Sequence, residues 1–115
     1  TILYTKSGDY KNSKPNIALI KKLKEYKNNG FEIVISTSRN VNTYKGNVGL
    51  INSNTLPIII ESLDYYGVPY DEIYVAKPWC GFEGFYIDDK SIRPSEFLKY
   101  SYQEIVELIG KEKCS

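Results

Sequence analysis

"GFYIDDKSIRP", residues 84–94, drives a strand-prone run straight into two adjacent carboxylates. Phe85, Tyr86 and Ile87 suit a strand, Asp88 and Asp89 follow at once, and Lys90 turns the chain away. Either the acids cap a turn, or they sit at the carboxyl edge of a sheet and hold something positive. The choice depends on whether the rest of the chain builds a sheet whose strands end together.

Upstream, "DEIYVA" (71–76) reads as a second strand, and "FEIVIS" (31–36), short, apolar and β-branched, as a buried one. Between and around them lie helices. "KPNIALIKKLKEYKNNG" repeats Ile17, Ile20, Leu23 and Tyr26 at helical spacing, with Pro15 suited to its first turn and Asn29-Gly30 as its stop. "TLPIIIESLDYYG" (55–67) offers Thr55 as N-cap, Pro57 in the first turn and Gly67 as terminator. "SYQEIVELIG" (101–110) carries Ser101 and Glu104 as a capping box, with Ile105, Leu108 and Ile109 as its buried stripe. The polar stretch 37–54 reads as a loop with room for a short turn of helix. Helix, strand, helix, strand, loop, strand, helix is the alternation of an α/β protein with a parallel sheet.

The 115 residues suffice for one domain, residues 1–115, with one hydrophobic core, and 42% apolar with 25% charged residues is ordinary for a globular protein. A formal charge of +1 without a basic block leaves no electrostatic footprint for nucleic acid. No apolar run reaches the roughly 18 residues of a membrane span, and no signal peptide is visible. Cys80 and Cys114 lie far apart and form no disulfide framework, so a reducing, cytoplasmic setting is expected. The sequence contains no histidine. Catalysis would therefore fall to carboxylate, lysine, hydroxyl or metal.

In parallel sheets ligands bind beyond the carboxyl ends of the strands. Ser36, Thr37, Ser38, Arg39 and Asn40 follow the first predicted strand, Lys77, Pro78, Trp79 and Cys80 the second, and Asp88 and Asp89 the third. A hydroxyl with backbone N–H groups, an ammonium and a carboxylate pair form a set suited to a phosphate and a divalent cation. Carboxylate oxygens suit Mg²⁺, which keeps several waters and takes few protein ligands. Alternation along the strand assigns Asp88 the direct metal contact and Asp89 a water-mediated one. Plainer roles stand beside these. The acids could cap a turn, Thr37 could cap the next one, Lys77 could be a surface lysine, Arg39 could pair with a surface acid, and Trp79 could belong to the core or its rim.

On these segments the chain resembles the phosphatase branch of the haloacid dehalogenase (HAD) superfamily. "FEIVISTSRN" is similar to its second motif, with Thr37 as the hydroxyl residue; "EIYVAKPWCG" to the third, with Lys77 as the lysine; and "GFYIDDKSIRP" to the acidic fourth. The likeness covers nearly the whole chain and is closer still to small HAD hydrolases associated with bacterial capsular polysaccharide synthesis. It implies a three-layer, Rossmann-like, capless fold with a mainly parallel sheet, since neither the stretch from Leu3 to the first helix nor residues 75–85 has room for a cap domain.

The first motif of that family, Asp-x-Asp-x-Thr, is matched only at its tail, Thr1-Ile2-Leu3. The resemblance thus implies that the central strand and its nucleophilic aspartate are absent from this chain, an N-terminally truncated form, and Asp9 is not a substitute. In the complete protein it implies a Mg²⁺-dependent phosphomonoesterase acting through an aspartyl-phosphate. Thr37 and Lys77 would hold the phosphoryl group, Asp88 and Asp89 the metal, and Ser38, Arg39, Asn40, Tyr44 and Trp79 the substrate. The expected substrate is a small phosphorylated metabolite such as a sugar phosphate, with a homo-oligomer or a fused or partnering biosynthetic enzyme left open. The competing expectation is a non-catalytic HAD-like domain that binds a phosphorylated ligand or a partner. A flavodoxin-like receiver fits less well, because no predicted strand ends in a single suitable aspartate.

Overall fold

A computed structural model describes Leu3–Tyr4 and residues 14–112. Thr1, Ile2, Asp9 and Cys114, on which sequence expectations fell, lie outside the described residues. The chain divides after Trp79 into two compact units.

The first unit begins with β1 (Leu3–Tyr4), antiparallel to β2 (Lys14–Pro15). Helix α1 (Ile17–Asn28) starts at Asn16, whose side chain accepts the Leu19 N–H at 3.1 Å, so Pro15 precedes the cap and belongs to β2 instead of the helix's first turn. The helix stops at Asn29 and Gly30, the latter at φ +94°. Its buried face is centred on Leu19 and Ile20, and Ile17, expected in the stripe, is 72% exposed.

Strand β3 (Val34–Ser36) and strand β4 (Glu72–Tyr74) form a parallel pair in the register Val34 with Glu72, Ile35 with Ile73 and Ser36 with Tyr74. The connection between them is helical, α2 (Val48–Asn54) followed directly by α3 (Leu56–Tyr65). The pair makes the unit α/β, as the alternation of elements predicted. β3 is shorter than expected and is covered on one face only: Ile35 packs on the core while Val34 stays exposed. Asp71 ties the strand entrances together by accepting the Ile33 N–H at 2.8 Å and a hydrogen bond from the Lys27 ammonium.

Helix α2 occupies the stretch read as a loop. The Asn47 side chain caps it through the Leu50 N–H at 3.2 Å, and Ile51 is fully buried. Thr55 stands at the head of α3 in helical conformation, but its hydroxyl makes no cap bond. Gly67, at φ +69°, ends α3 as expected. The core joins Ile20, Ile59, Leu63 and Val68, with Leu23, Ile35, Tyr66, Tyr70 and Ile73 packed against it. Each fully covered aliphatic side chain there is worth about 1.5–3 kcal/mol of burial.

In the second unit a turn at 81–83 leads to residues 85–87. The strand predicted there joins no ladder among the described residues, and Phe85 and Ile87 are 77% and 91% exposed. A strand exists only when its backbone groups find a neighbour to bond, so high β propensity alone does not make residues 85–87 a strand. Two helices follow. Helix α4 (Pro94–Lys99) had no counterpart in the sequence reading, and α5 (Tyr102–Gly110) carries the expected reciprocal cap. Ser101 N–H donates to Glu104 at 3.0 Å while Glu104 N–H donates to the Ser101 hydroxyl at 3.3 Å. Ile105 is buried, and Leu108 and Ile109 are half-buried.

Candidate functional site

The carboxyl edge of the β3–β4 pair is held by Thr37. Its N–H donates to the Tyr74 carbonyl at 3.0 Å, which prolongs the ladder by one residue beyond β3. Its own carbonyl accepts the Lys77 N–H at 3.0 Å, and its hydroxyl oxygen accepts the Arg39 N–H at 3.1 Å. Thr37 and Lys77, remote in sequence, are thus brought together by the sheet. Because the Thr37 oxygen acts as acceptor toward Arg39, the hydroxyl proton is directed elsewhere and can donate to an incoming oxyanion.

Residues 38–47 wind back over this edge through short-range bonds. Val41 N–H reaches the Ser38 carbonyl at 3.0 Å, Tyr44 N–H the Asn40 carbonyl at 3.0 Å, and Gly46 N–H the Val41 carbonyl at 2.9 Å. Asn40 is left-handed at φ +61°, a conformation asparagine tolerates better than most residues, and its side-chain oxygen accepts the Thr55 hydroxyl at 3.0 Å. Thr55 is 2% exposed. The bond locks the loop onto the head of α3, so the Asn40 carboxamide oxygen serves the fold. Its amide nitrogen lies 3.4 Å from the Thr43 hydroxyl. Ser38, Arg39 and Tyr44 are half-buried, and Trp79, shortly beyond Lys77, is exposed at 36%.

The ladder between β3 and Lys77 contains an irregularity that the sequence reading missed. In the observed register the Thr37 carbonyl would next receive the N–H of Ala76, yet it receives that of Lys77. Ala76 is left-handed at φ +61° and bulges out of the pairing. A signal for this was present in the sequence. Lys77 precedes Pro78, which keeps Lys77 in the extended region and forces the departure from the strand onto the residue before it.

Asp88 and Asp89 belong to the second unit. The Asp88 carboxylate accepts the Lys90 N–H at 2.9 Å, so it caps the turn at 89–90, one of the two roles its sequence position allows. That backbone N–H first, and the Ser91 side chain second, hold its pKa below the ordinary carboxylate value. It is exposed and anionic at neutral pH, and Asp89 beside it is half-buried. A carboxylate has about four acceptor positions, so the hydrogen bonds from Lys90 and Ser91 leave capacity for a cation. Among the described residues no group of three or more His, Cys, Asp or Glu side chains gathers around a common point. No helix among them is long and apolar enough to cross a membrane.

No protein-family model matches the chain, and no curated protein matches it. Among solved structures, the crystal structure of a structural-genomics target from Vibrio cholerae is similar to it, at 57% sequence identity and a TM-score of 0.92. The match covers 98% of this chain and 92% of the Vibrio protein. At that identity, over nearly the full length of both, this chain belongs to the same family as the Vibrio cholerae protein.

Proposed function

We propose that the chain is the body of a Mg²⁺-dependent phosphomonoesterase of HAD type. It would act through an aspartyl-phosphate on a small phosphorylated metabolite, a sugar phosphate of surface-polysaccharide synthesis, in the cytosol. The observation that carries this reading is the 3.0 Å bond from Lys77 N–H to the Thr37 carbonyl, which sets a hydroxyl residue and a lysine on one strand edge. The motif resemblance supplies the rest. Asp88 and Asp89 offer hard oxygen donors of the kind magnesium takes.

The chain's own residues do the positioning. The Thr37 hydroxyl donates to a phosphoryl oxygen, its proton being uncommitted to Arg39, and the Lys77 ammonium offsets the negative charge beside it. Tyr44 and Trp79 are the rings against which a sugar would rest. The nucleophile that the motif resemblance implies is the first aspartate of an Asp-x-Asp-x-Thr motif on a central strand of a three-layer, capless sheet.

Phosphate release from a panel of sugar phosphates, with and without Mg²⁺, tests this on the protein that carries the upstream aspartate motif. Metal-dependent release lost in Lys77→Ala is the expected outcome. The 115-residue chain carries no aspartate directly after β3 or β4, so it is expected to bind phosphate without turning substrate over. Phosphate binding without turnover in the longer protein too would leave a non-catalytic binding domain as the function. Absence of both removes the reading.

A further inference from the structure

We propose that Ala76 is a positioning residue whose left-handed bulge aims Lys77 at the phosphate site; this rests on the phosphatase reading above. Side chains alternate between the two faces of a strand, so a one-residue slip exchanges the face of every residue that follows. With regular pairing Ala76 N–H would bond to Thr37, and Lys77 would fall at the next position, facing the opposite way. The bulge removes Ala76 from the count and puts Lys77 into its place, with the 3.0 Å bond to Thr37 as the fixing point. Bulges recur beside binding sites because they re-aim one side chain without disturbing the sheet.

The backbone geometry carries a cost that ordinary packing does not require. A left-handed conformation is unfavourable for alanine, and glycine there would remove the strain. Strained residues persist where the surroundings over-determine them, and they concentrate at functional sites. Here the surroundings are identifiable: Pro78 restricts Lys77 on one side, and the Thr37–Tyr74 bond fixes the strand on the other.

The test titrates inorganic phosphate into the 115-residue chain in excess Mg²⁺, followed by calorimetry. Lys77→Ala is expected to weaken binding about tenfold, and Ala76→Val, whose branched side chain resists left-handed backbone, by a similar factor. The double variant should bind no more weakly than either single one. Ala76→Gly and Ala76→Asn, which accept that conformation, should retain affinity within about twofold. Amide hydrogen exchange of the unaltered chain supplies a reading that needs no variant: Lys77 N–H protected and Ala76 N–H exchanging freely. Absence of phosphate binding, or its survival in Lys77→Ala, overturns the phosphate reading and this proposal with it. Loss in Lys77→Ala together with full affinity in Ala76→Val overturns this proposal alone. Should Ala76→Val fail to fold, the exchange measurement decides, and a protected Ala76 beside an exchanging Lys77 sinks it.

Discussion

The hydroxyl of Thr55, buried at the head of α3, donates to the side-chain oxygen of Asn40 at 3.0 Å. One hydrogen bond therefore joins the loop over the strand edge to the helix that fills the core beneath it. Asn40 sits in left-handed backbone, so the bond also holds a conformation the chain would otherwise leave.

Removing that donor should loosen the loop more than the core. Thr55→Val keeps the shape and leaves the Asn40 oxygen without its partner, at an expected cost of about 1–2 kcal/mol. Thr55→Ser should restore most of it. Urea denaturation of both variants measures the difference. Equal midpoints for Thr55→Val and the unaltered chain would show that the bond contributes nothing to stability.

Asp88 caps a turn and is proposed to hold a metal ion, and one substitution divides the two roles. Asn at position 88 keeps an oxygen for the Lys90 N–H, so the turn survives while the charge is lost. Asp88→Asn is thus expected to leave the denaturation midpoint within about 0.5 kcal/mol and to abolish Mg²⁺-dependent hydrolysis of p-nitrophenyl phosphate by the protein carrying the upstream motif. Asp88→Ala should lose both turn and metal. Undiminished hydrolysis in Asp88→Asn returns the residue to turn-capping alone.

What the sequence revealed about this fold follows a physical division. Helix α5 and the stop at Gly67 were legible because caps and terminators act within one turn of chain. Helix α2 was not, because its asparagines and glycine favour loops and the stabilising event is the burial of Ile51, a tertiary fact. Residues 85–87 failed as a strand for the converse reason: propensity was present, but no ladder forms there among the described residues. That Thr37 and Lys77 share one strand edge was legible from their positions after the predicted strands. The Ala76 bulge and the Thr55–Asn40 lock were missed because both depend on which backbone groups meet across the sheet and loop.

Asp71 gives the first unit an acid-sensitive tie. The hydrogen bond from Lys27, chiefly, and that from the Ile33 N–H hold its pKa below the ordinary carboxylate value. A lowered folded-state pKa means that the stabilisation is present above the unfolded value of about 3.9 and disappears as pH falls through the lowered one. Asp71→Asn should therefore lower the thermal midpoint at pH 7, and its curve should converge on that of the unaltered chain as the pH drops below about 4. A gap that stays constant into strong acid contradicts the assignment.

Gly84 closes tightly on the backbone of Cys80, four residues earlier. A Cβ there would collide with the Cys80 carbonyl oxygen and lie 3.1 Å from its carbon, both backbone atoms that can yield only if the turn opens. Gly81, at φ +82°, has open space around it, so alanine there meets only the left-handed penalty of about 1–2 kcal/mol. Gly84→Ala should cost more than Gly81→Ala and should displace the carbonyl that the Cys80 thiol approaches at 3.5 Å. The reaction rate of Cys80 with a thiol reagent, in a Cys114→Ser background, reads this directly. A marked rise in Gly84→Ala with little change in Gly81→Ala is expected, because only the former must break the turn to make room for its side chain. Identical rates in the two variants would mean that the turn absorbs the extra carbon by shifting as a body, and the close approach at Gly84 would then not set the geometry of Cys80.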